Sequence, residues 1–368
     1  MTGTNLEVGK TIGDYEIIAL LGRGGMGRVF KVRNVISDRV EAMKSLLSYG
    51  DPDPEVAERF VREIKVLAKL EHPNITSFRT AFHVDDELIM IMEYVEGLSL
   101  ASKLAHHRPE LWRSAHYASQ VLSALSHAHQ GGVLHRDVKP SNILIDAADR
   151  VKLTDFGIAS LIADPGLTKT GGTLGTLCYM SPEQMKAQPI DARSDLYSVG
   201  VTLYEMVTGR VPFKGNSYYS LLKAHMERKP VPPIELVPES PPELSAIVEK
   251  SLEKRPAARF QSADEFRAAL QALNLERPAD AESTPTATLE VSSYPPASKA
   301  SPRKAKTWDA GVLESARKRL AAYIGPMAKV FVARAAKKAR SAEDLYQILA
   351  TEIASEQDRE KFLRSRPL

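Results

Sequence analysis

Residues 135–142 read His135-Arg136-Asp137-Val138-Lys139-Pro140-Ser141-Asn142, and Asp155-Phe156-Gly157 follows, with Asp155 thirteen residues beyond Asn142. The residue types suit one piece of chemistry. Asp137 offers a carboxylate that can orient a hydroxyl and take up its proton. Asn142 and Asp155 offer hard oxygen ligands for a divalent cation. Either tripeptide alone recurs by chance, and the plain alternative is a surface loop with a salt bridge. Joined in this order and at this spacing they form a specific signal.

Working outward, Tyr15 to Leu21 alternates and is rich in β-formers, which predicts a strand. It runs into Gly22-Arg23-Gly24-Gly25-Met26-Gly27, then Val29-Phe30-Lys31-Val32. Rossmann folds share this glycine spacing, but there the loop opens a helix. Here β-branched Val29 and Val32 continue as a second strand. The result is a glycine-rich hairpin whose backbone can come close to phosphates. Lys44 closes the next β-like stretch, Val40-Glu41-Ala42-Met43-Lys44, seventeen residues after Gly27. From about Pro54 to Leu70 the spacing is helical. Val56, Phe60, Ile64 and Leu67 share one face, and His72-Pro73-Asn74 stops the run. Glu63 lies on this helix as one of several glutamates. Leu88 to Tyr94 is nearly unbroken apolar, as in a buried strand.

With these motifs in this order, the chain resembles the bacterial Ser/Thr protein kinases of the eukaryotic-like (Hanks) type. The Gly-Arg-Gly-Gly-Met-Gly loop and Ser181-Pro182-Glu183-Gln184 look specifically bacterial. The resemblance covers about residues 10–275. It implies an α+β, two-lobed protein kinase fold with a β-rich N-lobe (10–95) and a helical C-lobe (96–275). It also implies ATP and Mg2+, with Mn2+ as a substitute.

The resemblance assigns roles residue by residue. Leu21, Gly22, Gly24, Gly25, Gly27, Val29 and Ala42 enclose the nucleotide, with Val29 above the adenine and Leu144 beneath it. Lys44 pairs with the α- and β-phosphates, and Glu63 holds Lys44 by an ion pair. Met92 guards the back of the pocket, and Glu93 to Val95 form the hinge. Asp137 is the catalytic carboxylate; Asn142 and Asp155 hold the metal. Lys139 and Gly175-Thr176 resemble the Ser/Thr pattern, with Thr176 bonding near Asp137 and Lys139. Arg136 is the expected partner for a phosphate on Thr168 or Thr170. Asp195 resembles the buried aspartate that anchors the catalytic loop, and Arg259 the partner of Glu183. Relatives usually carry an acidic residue before Pro256, where this chain has Arg255. Because Lys44, Asp137, Asn142 and Gly157 are intact, an inactive relative is not the expectation.

A chain of 368 residues exceeds such a fold, so something is left over. Residues 1–9 read as a short tail. Residues 276–307 are rich in Pro, Ser, Thr and Ala and read as a disordered linker. Residues 308–368 regain helical spacing. Leu313, Ala316, Leu320 and Ile324 come first, then Phe331, Val332, Ala335 and Ala339 after Gly325-Pro326. Ser341 and Ser355 read as caps of two further helices. The charge is uneven. Of 49 Lys+Arg and 46 Asp+Glu, residues 299–340 hold twelve basic and two acidic, leaving 37 against 44 elsewhere. A mildly acidic body therefore carries a basic tail.

One cysteine, Cys178, excludes an internal disulfide framework and suits a reducing compartment. No basic-apolar leader opens the chain, and no run nears the roughly 18 apolar residues of a membrane span. These features predict a cytoplasmic protein with no membrane span. Two functions of different class follow. One is an enzyme that phosphorylates Ser/Thr hydroxyls of protein substrates and its own activation loop in bacterial signalling. The other is a weakly active kinase-fold scaffold whose helical tail docks, dimerises, or binds nucleic acid or lipid. The complete metal and phosphate set favours the enzyme. Docking or self-association suits the tail better than nucleic acid, since charge runs usually just solvate a face.

Overall fold

The computed structural model describes residues 6–24, 27–46, 64–84, 87–156, 174–215, 218–275, 308, 310–324, 328–339, 341–350, 353 and 356–364. Most of the expected 54–70 helix, and with it Glu63, lies outside these residues, as do Gly25, Thr168 and Thr170. Two compact units result, Met1–Asn216 with Leu221–Leu275, and Ser217–Ser220 with Glu276–Leu368.

The first unit opens with a six-stranded antiparallel sheet. Its strands are β1 (Thr11–Ile12), β2 (Tyr15–Gly24), β3 (Gly27–Asn34), β4 (Val40–Leu46), β5 (Phe78–Val84) and β6 (Glu87–Glu93), in the order β1-β2-β3-β4-β6-β5. Side chains alternate across a strand, so register decides which residues meet. Val29 lies opposite Lys44 and Lys44 opposite Met90; Ala42 lies opposite Met92. These residues therefore share one face. The intervening Phe30, Met43, Ile89 and Ile91 share the other and close a buried cluster with Ile17 and Val32. The β2–β3 hairpin brings Gly24 opposite Gly27, and Gly27 takes φ +142°, a conformation that favours glycine.

A small sheet of β7 (Gly97–Ser99), β8 (Ile143–Asp146) and β9 (Val151–Leu153) follows. Short α1 (Leu100–Leu104) leads to α2 (Leu111–Gln130), whose buried residues include Tyr117, Val121, Leu122 and Leu125. Helix α5 (Ala192–Thr208), introduced by α3 (Leu174–Leu177) and α4 (Pro182–Met185), is buried on nearly every side. Such all-round burial marks the central helix of a lobe. Asp191 caps its start and Gly209, at φ +72°, its end. Helices α6 (Pro242–Ser251) and α7 (Ala263–Gln271) complete a core shared with α2 and α5. At Gly200 in α5 a Cβ would stand 2.1 Å from Ser251 Oγ, so only glycine allows this approach.

In the second unit, α8 (Ala310–Ile324), α9 (Ala328–Lys338), α10 (Ala342–Ala350) and α11 (Glu356–Arg364) build a core of their own. Ala316, Leu320, Phe331, Val332, Ala335, Leu345, Leu349 and Phe362 are all buried. Ser341 Oγ accepts the Asp344 N–H (3.1 Å), the expected cap. The Trp308 indole N–H donates to the Ala336 carbonyl (2.8 Å), fastening the entry of the unit to α9. Among the described residues, no helix is long and apolar enough to cross a membrane.

Candidate active site

The catalytic stretch runs from the end of α2 to β8, beneath the sheet face that carries Lys44. Its backbone is not free to choose. Arg136 takes φ +65° and Asp155 φ +63°, left-handed values that cost a non-glycine residue energy. Asp195, buried near the start of α5, holds the first of these. Its Oδ2 accepts the His135 N–H (2.9 Å) and its Oδ1 the Arg136 N–H (2.7 Å). The His129 ring adds a third bond to Oδ2 (2.8 Å).

His135 is fully buried, and burial lowers its pKa, so the ring stays neutral. Its Nε2 donates to the Thr154 carbonyl (2.9 Å), which leaves Nδ1 to accept the Asp137 N–H (3.3 Å). The ring also packs on Phe156 at 4.5 Å between centroids. One side chain thus ties the loop before β8 to the loop after β9.

The reactive groups converge from this frame. Lys139 Nζ donates to Asp137 Oδ2 (2.7 Å), and Asn142 Nδ2 donates to the Asp137 carbonyl (2.8 Å) and to Oδ2 (3.1 Å). Among the described residues, Asp137 Oδ1 accepts no bond. Lys44 Nζ pairs with Asp155 Oδ1. Burial works against the charged Asp155, but the charge and hydrogen bond of Lys44 outweigh it and lower its pKa. Asn142 uses its amide nitrogen on Asp137, and its Oδ1, which accepts a long bond from the Ser141 hydroxyl (3.4 Å), keeps a second lone pair for a metal. No group of three His, Cys, Asp or Glu that could hold a metal occurs among the described residues. Two side-chain oxygens fit a magnesium-type ion that takes its other ligands from water and from phosphate oxygens. The donor set therefore fits a metal–nucleotide pair better than a metal bound by protein alone.

Above these groups, Val29, Ala42 and Met92 share the Lys44 face, and half-buried Leu144 stands on β8. Leu21 and Gly22 precede the hairpin, with Gly22 opposite Val29. Sequence reasoning left the Glu93 side chain without a task. Its carboxylate accepts from Lys152 Nζ (2.8 Å) and from the Ser77 N–H (3.0 Å), and its own N–H donates to the Ser77 carbonyl (2.9 Å). Glu93 thus pins the end of β6 to β9. The Val95 N–H bonds no described backbone carbonyl, which suits a hinge that must hydrogen-bond a planar base.

Further along, Glu183 and Arg259 form a two-armed ion pair at 2.7 and 2.9 Å, as expected. Thr176 is half-buried in α3. Among the described residues its hydroxyl makes no hydrogen bond to Asp137 or Lys139. Cys178, the one cysteine of the chain, forms no disulfide within it, and burial raises its thiol pKa, which makes it a poor nucleophile. The sequence reading missed His129, Lys152 and Gln184 as positioning groups. Only the Gln184 motif could have signalled one, through the Ser-x-x-Gln capping pattern.

A β-rich lobe above a helical lobe, with a lysine, two metal-type oxygens and a carboxylate between them, defines a nucleotide-dependent phosphotransferase fold. Comparison with known proteins makes the class particular. Residues 15–272 match the protein kinase domain, and the chain belongs to that family. Residues 311–366 match a domain of unknown function, DUF8082. The chain is 41% identical over 287 residues to the serine/threonine-protein kinase pkn3 of Myxococcus xanthus, covering 74% of this chain and 52% of that protein. It is 37% identical over 263 residues to PrkC of Bacillus subtilis, covering 71% and 41%. It thus spans about half, or less, of the length of these relatives. Among solved structures, the PknI kinase domain of Mycobacterium tuberculosis superposes with TM-score 0.58 at 28% identity, covering 73% of this chain and 99% of that one.

Proposed function

We propose that this chain transfers the terminal phosphoryl group of ATP to serine and threonine hydroxyls of proteins, its own activation segment included. The observation that carries the reading is the Asp137 carboxylate. Its Oδ2 is held by Lys139 and Asn142, while Oδ1 is turned to no described partner. A substrate hydroxyl can therefore be oriented, and its proton taken up, at Oδ1. Bound magnesium–ATP supplies the phosphoryl group and the leaving group. Asn142 and Asp155 are the residues to hold the metal, and Lys44 the one to hold the phosphates. Glu63 is assigned to orient Lys44, and Thr176 to favour small hydroxyl acceptors beside Lys139. The relatives named as serine/threonine-protein kinases support the substrate class. A cytoplasmic location suits a chain with a single cysteine. For the second unit we favour docking or self-association, on the ground that its four helices close a core of their own.

The test is incubation with labelled ATP and peptides bearing only Ser, only Thr or only Tyr acceptors. Label on the first two, absent with D137N, is expected. Label on the Tyr peptide alone, or label unchanged in D137N, removes the proposal.

A further inference from the structure

We infer that Gln184 is a positioning residue that fixes the backbone of the catalytic loop, and that it couples the exit of the activation segment to Asp137. The inference rests on the kinase reading above but on separate geometry. Asp195 holds the N–H side of the left-handed Arg136. The following peptide, which links Arg136 to Asp137, needs its own restraint, because a residue at φ +65° gains when it relaxes. Gln184 supplies it. Its Nε2 donates to the Arg136 carbonyl at 2.7 Å. That carbonyl and the Asp137 N–H belong to one planar unit, so fixing one fixes the other.

The other end of the same amide is also committed. Gln184 Oε1 accepts the Ser181 N–H (2.9 Å), and Ser181 Oγ accepts the Gln184 N–H (3.3 Å). This is a reciprocal helix cap at the start of α4. Ser181 is fully buried, and the neighbouring Glu183 is anchored by Arg259. Gln184 is therefore held on a rigid base while it grips the loop. An amide does both whatever the pH, since it carries an acceptor and a donor on one carbon, whereas a carboxyl can do so only when protonated. A glutamate could cap the helix equally well but would turn a lone pair toward the Arg136 carbonyl.

That difference gives the experiment. The full chain is prepared as wild type, Q184E and Q184A. Hydrogen exchange of peptides covering residues 133–145 is measured without nucleotide, beside kcat and KM on a serine peptide. In Q184E the loop is expected to exchange about tenfold faster, while the melting temperature stays within about 2 °C because the cap persists. The kcat is expected to fall roughly tenfold to a hundredfold, with KM for ATP within about twofold. Lowering the pH from about 8 to about 6 is expected to shrink the Q184E deficit, because a protonated carboxyl donates again. Q184A loses the cap as well, melts lower, and shows no such recovery. Unchanged loop exchange in Q184E overturns the inference. So does a kcat loss with no pH recovery that tracks a drop in melting, which a mere cap would give. If the wild type itself transfers no phosphate, the kinase reading falls, and the exchange measurement still decides the latch.

Discussion

Replacing Arg259 with methionine removes the most thoroughly buried cation among the described residues. The Arg259 side chain is 0% exposed and that of Glu183 9%. The guanidinium donates to both Glu183 oxygens, to the carbonyls of Glu253 (2.7 Å), Lys254 (3.0 Å) and Arg193 (3.1 Å), and lies over the Tyr197 ring at 4.8 Å. Methionine restores volume but no charge, so the Glu183 carboxylate stays buried with Ser194 as its remaining side-chain partner. Breaking a buried pair in this way costs about 3–5 kcal/mol. A whole domain has only about 5–15 kcal/mol in reserve. Urea unfolding of R259M is therefore expected to lose about 3–5 kcal/mol, and the melting temperature to fall on the order of 10 °C. The pH dependence carries the sign. Burial raises the Glu183 pKa, but Arg259 and Ser194 outweigh it, and the folded value lies below the unfolded one. In the wild type this contribution is present above the unfolded pKa and is lost as pH falls through the folded one. Without Arg259 burial wins, the folded pKa rises above the unfolded value, and the defect of R259M narrows as pH falls toward about 5. A loss under about 1 kcal/mol, or a defect independent of pH, would refute the reasoning.

Three further outcomes follow from the site and the second core. K44M is expected to cut kcat at least about a hundredfold; because Lys44 is what lowers the Asp155 pKa, the acid limb of its residual pH–rate profile should move to higher pH. Steady-state rates between about pH 5 and 8 check both. T168A/T170A is expected to slow substrate phosphorylation with normal melting, and mass spectrometry of wild type beside D137N to place phosphate on these threonines only where the enzyme is active. L349A empties a fully buried position of the second core and should cost that unit about 2–5 kcal/mol, read by Trp308 fluorescence, while kcat on a peptide stays unchanged.

Local chemistry made the strands and most of the site legible. Alternation announced β2, the apolar run announced β6, and the spacing around Leu313 and Phe331 with the caps at Ser341 and Ser355 announced the four terminal helices. Asp137, Asn142 and Asp155 stood out because their spacing is itself the signal. The supports were not legible, for a physical reason. His129 to Asp195, Lys152 to Glu93 and Gln184 to Arg136 join residues 66, 59 and 48 positions apart. Nothing near His129 or Lys152 in sequence distinguishes them from surface residues. The left-handed backbone at Arg136 and Asp155 is equally silent, since neither residue is a glycine and the strain is held by distant partners. The partner of Lys44 shows the same limit. The resemblance implied Glu63, which lies outside the described residues, and the pairing of Lys44 with Asp155 was not read from the sequence.

The pairing of β4 with β3 and β6 bears on how this protein can change over evolutionary time. Met43 faces the apolar cluster and Lys44 the opposite side, one residue apart on one ribbon. Exchanging a side chain at Val40 or Glu41 perturbs only its own neighbourhood. Deleting one residue between Val40 and Met43 drives the ammonium group into the hydrocarbon and leaves a thioether where the positive charge belongs. Fold and reactivity are then lost in a single event, with no half-working intermediate. Drift in this strand should therefore proceed by substitution alone, with length change confined to the turns at either end.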